Sequence, residues 1–492
     1  MIDAKVLPAM PYAALLGAAV GVGAVVAWAP WQVSLTVVIA ALAIFGLVVL
    51  RTGVSAAPAA RVEDAEVEDP RLRPARLTYY VGAATIGFLT VRPALDFTAS
   101  DWIFLSALGV VALVILVQGI APDYLIPRGV TVGILLFAVG GLLASLQAVD
   151  PYASAFVVIR MLYLTLIWFW LGTVVLQTRA HVQNALVAWV CSVAVSSSGA
   201  VAQFFYGDVV PGGAVAWGRM TGFTGHFNVL GGLAATAFVP ALMLAVDSPR
   251  RGLRIIGTIS TALIAAGLLL SGSVGGLLAA TVATMVWLAL RGVSVRILVS
   301  GAVVVASALV LMSATGSTNS PSPIDRIERV TSAEEAGAGT GGTVYTRIEG
   351  YSLAWSRVVE QPLVGVGLDP GSSLDVLEGH SVHNLLLGPW FTAGILGLIG
   401  IVMLIVSAFT TGLRVLRHSP LQDRSFAAAL LASLAAFIQH GMGEPILFVR
   451  YGWFPTALLI ALHSQQIRAR GHVTQPTSSG RPALQHSFGE AR

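Results

Sequence analysis

Apolar runs of about twenty residues recur along the chain, separated by shorter polar stretches. A run of that length can cross the hydrocarbon core of a bilayer as an α-helix. The pattern therefore predicts an all-α, polytopic membrane protein with about 14 transmembrane helices. The predicted helices span 8–29, 32–50, 78–92, 103–121, 130–149, 155–177, 183–206, 228–246, 254–270, 273–290, 295–313, 382–410, 425–440 and 449–466.

The polar stretches divide the chain into regions with different expected roles. One region, a long extracytoplasmic loop bearing short helices, stands out because loops of this length are often functional. Within it, Thr346 to Glu360 has the pattern of a surface helix that ends before Pro362. We predict N-terminal membrane helices over 1–50, a disordered cytoplasmic linker over 51–77, a membrane helical core over 78–313, the long loop over 314–381, C-terminal membrane helices over 382–470 and a disordered cytoplasmic tail over 471–492.

Composition narrows the class of protein further. Of 492 residues, 56% are hydrophobic and 11% are charged, whereas a soluble domain carries about 25% charged residues. A soluble enzyme, a disordered protein and a secreted disulfide-rich domain are therefore excluded. A lone cysteine, Cys191, rules out a disulfide within the chain.

The basic residues indicate how the chain crosses the membrane. With the N-terminus in the cytoplasm, 20 of the 28 basic residues fall on the inside and 7 on the outside, while Arg160 lies within a span. This bias follows the positive-inside rule and puts both termini in the cytoplasm. The net charge of +4 thus reports topology, and we expect no nucleic-acid partner.

Histidines and arginines gather beside the predicted outer ends of the spans. Such a cluster predicts an anion site with a nearby proton acceptor, because a guanidinium fork suits phosphate oxygens and neutral imidazole is a competent base. Arg347 either binds phosphate or pairs with Glu349 or Glu360 at the surface. The group comprises Arg219, Arg347, Arg450, His226, His380, His383 and His440.

Two short segments carry most of this chemistry. Gly-His-Ser-Val-His-Asn places His380 and His383 just before a long span. These histidines could cap the helix, bind a metal together with His226 or His440, or act as a general base; no metal-binding signature is present. Upstream, Trp-Gly-Arg-Met-Thr-Gly-Phe-Thr-Gly-His-Phe-Asn contains Arg219, three glycines that allow close backbone approach, and Asn228, which could start the next helix.

Two further charges need partners. Arg160 lies inside a span, where a charge is costly. It either reaches back to the interface or joins the anion site. Glu444 and Arg450 flank the last outer turn, and a mutual salt bridge is the simplest expectation.

These motifs resemble the O-antigen ligase and polymerase superfamily. The shared pattern is an Arg-led segment, here Thr346-Arg347-Ile348, then Pro362-Leu363-Val364-Gly365-Val366-Gly367, and then His383-Asn384 before a long span. The Arg219-x-Thr-Gly-Phe-x-Gly-x-x-Asn228 element is similar to the family's other outer-loop arginine motif. Where the family often has Ser-Arg-Gly-Gly, this chain has Ser273-Val274-Gly275-Gly276.

The resemblance implies a membrane glycosyltransferase of a bacterial cytoplasmic membrane. It would move a glycan from undecaprenyl pyrophosphate to an acceptor hydroxyl on a glycan, lipid or protein, at the outer face, with inversion and with neither metal nor cofactor. By the same resemblance, Arg219 and Arg347 bind the pyrophosphate. Arg160, if it joins the anion site, is a further pyrophosphate-binding candidate. His383 is the base, with His380 as an alternate or second base, and His226, Asn384 and Arg450 support the site.

Other functions stay open at this stage. A polysaccharide polymerase and a protein O-oligosaccharyltransferase use the same donor and differ only in the acceptor. A transporter of lipid-linked glycans or anions would place its functional charges near the bilayer midplane, where this sequence has few. A purely structural scaffold gives no reason for arginines and histidines to gather on one side.

Overall fold

The fold is known from a computed structural model that describes residues 69–92, 98–118, 123, 125–216, 218–292, 343–377 and 381–473. The predicted spans 8–29, 32–50 and 295–313 lie outside the described residues. So do most of the 51–77 linker, the first part of the 314–381 loop and nearly all of the 471–492 tail.

The described chain is almost entirely helical. A π-helical turn, Tyr163–Ile167, joins α4 to α5, and two-residue strands β1 (Val215–Ala216) and β2 (Arg219–Met220) form an antiparallel hairpin. The helices are α1 Arg73–Thr85, α2 Ala99–Gln118, α3 Arg128–Ser145, α4 Pro151–Leu162, α5 Trp168–Val175, α6 Arg179–Tyr206, α7 Phe227–Asp247, α8 Arg251–Ser271, α9 Val274–Leu290, α10 Thr343–Glu360, α11 Pro370–Val376, α12 Leu387–His418, α13 Leu421–Gly441 and α14 Arg450–Val473.

Seven helical segments of the described chain are long and apolar enough to cross a membrane. They are Ala99–Val117, Arg128–Ser145, Pro151–Val175, Arg179–Tyr206, Phe227–Asp247, Arg251–Ser271 and Leu387–His418, and α9 is a shorter apolar helix. The predicted class, an all-α polytopic membrane protein, is confirmed. The total of 14 spans stays a prediction. The surface helix predicted from Thr346 is present as α10 and starts three residues earlier.

Helices pack closely where glycines face one another. A Cβ added to Gly133 of α3 would lie 2.7 Å from the carbonyl oxygen of Gly400 in α12, and one added to Gly400 would lie 2.6 Å from that of Gly133. Small residues let membrane helices approach in this way, which compensates for the weak hydrophobic drive between helices in lipid. The pairing of α3 with α12 fixes the helix that follows His383.

The Pro-Leu-x-Gly-x-Gly segment lies along the first turns of α12. The backbone N–H groups of Val366 and Gly367 donate to the carbonyls of Phe391 and Thr392 at 3.0 and 3.1 Å. Gly394 interrupts α12 with a φ of +71°, and the N–H of Ile395 donates to the carbonyl of Pro362. The segment therefore ties α10, which precedes it, to the start of α12, which follows His383.

The helix ends meet at two levels. At one level, which we call the upper end, α7, α9, α12 and α14 begin and α6, α8 and α13 end. The contacts described below join these helix ends. We call lower end the opposite level. There Arg291 at the end of α9 donates to Asp247 at the end of α7 at 2.9 Å.

Candidate functional site

The loop before α7 is fastened onto α6 at the upper end. The side-chain oxygen of Gln203 accepts hydrogen bonds from the backbone N–H groups of Thr221 at 3.0 Å and Gly222 at 2.8 Å. Gly222 has a φ of +52°, and a Cβ there would clash with the carbonyl of Ser196. The glycine allows this close approach, and the loop in turn holds Arg219 over the end of α8.

Arg219 is buried and is fixed by contacts with Ser271, Asn228 and Phe227, among others. Its Nε donates to the carbonyl of Ser271 at 2.8 Å, and its Nη2 donates to Oδ1 of Asn228 at 2.5 Å. The guanidinium carbon lies 3.4 Å from the centre of the Phe227 ring. These contacts direct the charge of Arg219 toward Asn228 at the first turn of α7.

His226 and Asn228 have different roles at the start of α7. Nδ1 of His226 accepts from the backbone N–H of Asn228 at 3.2 Å, so this histidine caps the helix. The Asn228 side chain instead points outward from the cap. Its amide nitrogen donates to Oε1 of Glu444 at 2.6 Å, which links the Arg219 loop to the turn between α13 and α14.

Helix α10 brings Arg347 and Tyr351 to the same place, because residues four apart share a helix face. Nη2 of Arg347 donates to Oε1 of Glu444 at 2.5 Å. The phenol of Tyr351 donates to the backbone carbonyl of His383 at 2.5 Å. Burial raises the pKa of Tyr351, which keeps the phenol protonated as a donor. One face of α10 therefore contacts both Glu444 and the His383 segment.

His383 is held from both sides of its ring. Nδ1 lies 3.6 Å from Oε2 of Glu444, and Nε2 lies 2.8 Å from the hydroxyl of Ser381. The next residue, Asn384, uses Oδ1 to accept from the N–H groups of Leu386 and Leu387 at 2.9 and 3.0 Å. Asn384 thus starts α12, while His383 is left beside Glu444.

Glu444 is the junction of the site. Oε1 accepts from Arg347 and Asn228, and Oε2 faces His383. Burial would raise the pKa of Glu444, but the nearby His383 ring and the charge of Arg347 outweigh burial and hold this pKa below its usual value. We call Arg219, Asn228, Arg347, His383 and Glu444 the Glu444 cluster; it contains an ionised carboxylate between two cations and an imidazole.

Arg450 lies in a different set of contacts. The sequence led us to expect a salt bridge between Glu444 and Arg450, and this expectation is wrong. Arg450 forms a bidentate pair with Asp101 near the start of α2, with Nε 3.0 and 2.9 Å from the two carboxylate oxygens and Nη2 also in contact. Both side chains are buried. The charge of Arg450 is therefore compensated within the bundle.

Arg160 and His380 are not among the contacts that define the cluster, whereas His440 lies close enough to Glu444 for their charges to interact. Arg160 lies half-buried on α4, whose main helical neighbour is α3. His380 lies outside the described residues. His440 is buried at the end of α13, next to Gly232 of α7 and Gly275 of α9. Within the described chain, no three His, Cys, Asp or Glu side chains are placed to hold a metal ion.

Sequence reasoning missed the central residue. Glu444 was considered only as a partner for nearby Arg450, and Tyr351 and Ser381 were not considered as contacts of His383. A signal did exist, because Glu444 is an acidic residue in a short turn at the end where the arginines gather. At the divergent position, Ser273 caps α9 by accepting from the N–H of Gly276 at 3.2 Å, and Val274 is exposed.

The fold and the Glu444 cluster define a polytopic membrane protein with a charged, hydrogen-bonded site at one end of its helices. The family model described as O-antigen ligase matches residues 259–402. Over this segment, the match confirms the predicted resemblance to the O-antigen ligase superfamily. It includes Arg347 and His383 but neither Arg219 nor Glu444. A comparison with curated proteins gave no match.

Proposed function

We propose that this protein is a membrane glycosyltransferase that moves a glycan from undecaprenyl pyrophosphate to an acceptor hydroxyl. The donor is already activated, so the reaction needs no cofactor. The O-antigen ligase match over 259–402 supports the reaction class. The observation that carries the proposal is the position of Glu444 between Arg347 and His383, because this carboxylate contacts both a candidate phosphate-binding group and a candidate base.

The Glu444 carboxylate favours the His383 tautomer in which Nδ1 carries the proton and Nε2 is free to act as a base. Because Glu444 is ionised and can only accept, the ring nitrogen that faces it, Nδ1, carries the proton. Nε2 then presents its lone pair, which accepts from Ser381 when no substrate is bound. An acceptor hydroxyl that replaces Ser381 at this nitrogen would meet a base already oriented for proton removal. Glu444 is a positioning residue in this scheme.

The transfer step balances with these groups alone. The acceptor oxygen attacks the anomeric carbon as its proton passes to Nε2 of His383. The bond between that carbon and the pyrophosphate oxygen breaks, and its electron pair leaves with the pyrophosphate. Attack from the face opposite the leaving group inverts the anomeric centre.

Arg347 is suited to the departing pyrophosphate. Among the described residues it uses one donor, Nη2, for Glu444, so the rest of its planar fork can bind phosphate oxygens. Arg219 adds a second positive charge through Asn228. Cations that are fixed before the reaction stabilise charge as it develops in the transition state.

We further propose that the site faces the outside of a bacterial cytoplasmic membrane. Of the arginines in the described part, few lie at the upper end and most lie at the lower end, near the starts of α3, α6 and α8 and the end of α12. The positive-inside rule assigns an arginine-rich end to the cytoplasm. A lipid-linked donor would then present its pyrophosphate at the outer membrane–water interface, beside the Glu444 cluster.

The acceptor is open within this proposal, and a polysaccharide polymerase or a protein O-oligosaccharyltransferase would use the same groups. A transporter is less favoured. Transporters bind substrate near the midplane on broken helices, whereas the Glu444 cluster is built from residues at helix ends.

The test is glycan transfer in nanodiscs from an undecaprenyl-pyrophosphate-linked donor, with EDTA present and a mixture of candidate acceptors. We expect wild type to transfer, and the acceptor consumed identifies the subtype. His383→Ala should be inactive, whereas His418→Ala, at the exposed lower end of α12, should match wild type. Full activity in a folded His383→Ala protein would refute the general-base role. Binding and movement of the lipid without transfer would favour a transporter.

A further inference from the structure

A second candidate site lies at the lower end of the bundle. A partly open cavity of about 770 Å³ is lined by the start of α6, the ends of α7 and α9 and the start of α13. Asn228 and Asp247 lie 19 positions apart on α7, which places the cavity about 28 Å from the Glu444 cluster. Site and cavity are therefore separated by about the thickness of the hydrocarbon core of a bilayer.

The carboxylates in this cavity already have partners. Asp247 accepts from Nη2 of Arg291 at 2.9 Å and from the hydroxyl of Ser425. Oδ1 of Asp423 lies 3.4 Å from Nε of Arg179. With both acidic groups engaged by protein, the cavity has little to offer a cation.

Several donors in the cavity lack partners. Within the described chain, Nη1 of Arg179 and the hydroxyl of Ser248 are buried and make no hydrogen bond. Arg424 also lines the cavity and forms no ion pair with the described residues. A buried donor left unsatisfied is costly, so a ligand that supplies acceptor oxygens here would be stabilised.

The geometry favours an anion with an apolar portion. Arg179 is fixed with its guanidinium carbon 3.5 Å from the centre of the Phe426 ring. Three arginines face two aspartates, and apolar side chains including Met243 and Leu290 line the rest of the cavity. Guanidinium groups bind phosphate oxygens by paired hydrogen bonds, and basic pockets between membrane helices suit lipid headgroups. We propose that this cavity binds the headgroup phosphate of an anionic phospholipid.

Thermal unfolding of the full-length protein in detergent tests this proposal. Phosphatidylglycerol, phosphatidylcholine and inorganic phosphate are each titrated against wild type, Arg424→Gln and Ser248→Ala. Arg254→Gln is the matched control, because Arg254 is an exposed arginine at the same end and does not line the cavity. A ligand that binds the folded state raises the unfolding temperature until the site is saturated.

We expect phosphatidylglycerol to give a saturable rise in unfolding temperature, and phosphatidylcholine a smaller one. Loss of one hydrogen bond to a charged group should raise the midpoint lipid concentration about tenfold in Arg424→Gln and in Ser248→Ala. Arg254→Gln should match wild type. An equal response in all four proteins would overturn the proposal. If inorganic phosphate gives the same saturable rise, the ligand is a soluble anion and the lipid assignment is wrong.

Discussion

Replacing Glu444 by glutamine tests the proposed mechanism most directly, because the shape of the side chain is kept and its charge is removed. The amide oxygen can still accept from Arg347 and Asn228 in place of Oε1. The amide nitrogen then faces Nδ1 of His383 and donates to it. The ring proton is thereby moved to Nε2, where the base should be.

The size of the effect follows from the contact between Glu444 and His383. At 3.6 Å and an effective dielectric of 20, a carboxylate and an imidazolium attract by about 4–5 kcal/mol before desolvation. The side chain of His383 is 27% exposed, so solvent screening reduces this attraction to roughly 2 kcal/mol, or about 30-fold in rate. Loss of the correct tautomer adds to this, and general-base catalysis contributes about 10²–10⁴-fold. We expect kcat to fall by about 10²–10³-fold.

The assay is single-turnover transfer in nanodiscs with saturating donor and acceptor. Glu444→Asp keeps the charge on a shorter side chain and should retain more activity than Glu444→Gln. Glu360→Gln is the control, because Glu360 is an exposed acid at the end of α10. Activity of Glu444→Gln within threefold of wild type, with His383→Ala inactive, would refute the tautomer argument. Equal inactivity of Glu444→Asp and Glu444→Gln would mean that shape matters rather than charge.

Three further predictions concern neighbouring charges. Arg347→Lys should lower transfer at least about tenfold, because a point charge cannot replace the planar guanidinium fork. In the same assay, Arg357→Lys should show no change, because Arg357 forms only an exposed ion pair with Glu360 on α10. Because the pKa of Glu444 is lowered in the folded protein, its ionisation contributes stability above about pH 4.5 that is lost as the pH falls through the folded-state pKa. Unfolding temperatures measured from about pH 5 down to about pH 3 should therefore drop more steeply for wild type than for Glu444→Gln. Asp101→Asn leaves the buried charge of Arg450 uncompensated and should lower the free energy of unfolding by about 3–5 kcal/mol, measured by chemical denaturation; an unchanged value would contradict the pairing.

Much of the fold could be predicted because lipid imposes simple constraints. Apolar runs must be helical in a bilayer, and each predicted helix within the described chain overlaps an observed helical segment. Helix ends were harder to predict. The run 78–92 is helical only to Thr85, since Gly87 donates its N–H to the hydroxyl of Ser192 and Thr90 donates to the carbonyl of Phe223. These tertiary hydrogen bonds end the helix, and no pattern in the local sequence predicts them.

The partners of the charged groups could not be predicted, because they depend on which helix ends meet. Glu444 lies six residues from Arg450 in the sequence, yet it pairs with Arg347, 97 residues away. Arg450 pairs with Asp101, 349 residues away. Proximity along the chain favoured the wrong pair, since the start of α14 packs toward α2 while the preceding turn faces α10. Family motifs identified Arg347 and His383, but not the carboxylate between them.

That carboxylate explains how the Glu444 cluster can exist before substrate arrives. Arg219 and Arg347 would repel each other in a partly buried site if no anion lay between them, and both are fixed by bonds that lead to Glu444. One carboxylate against two guanidinium groups leaves a positive charge, so on the proposed function the site still attracts a pyrophosphate. In the proposed mechanism, Arg347 keeps its bond to Glu444 while its other donors turn to the phosphate. The same contact that holds the free site together would then also keep His383 oriented when the acceptor attacks.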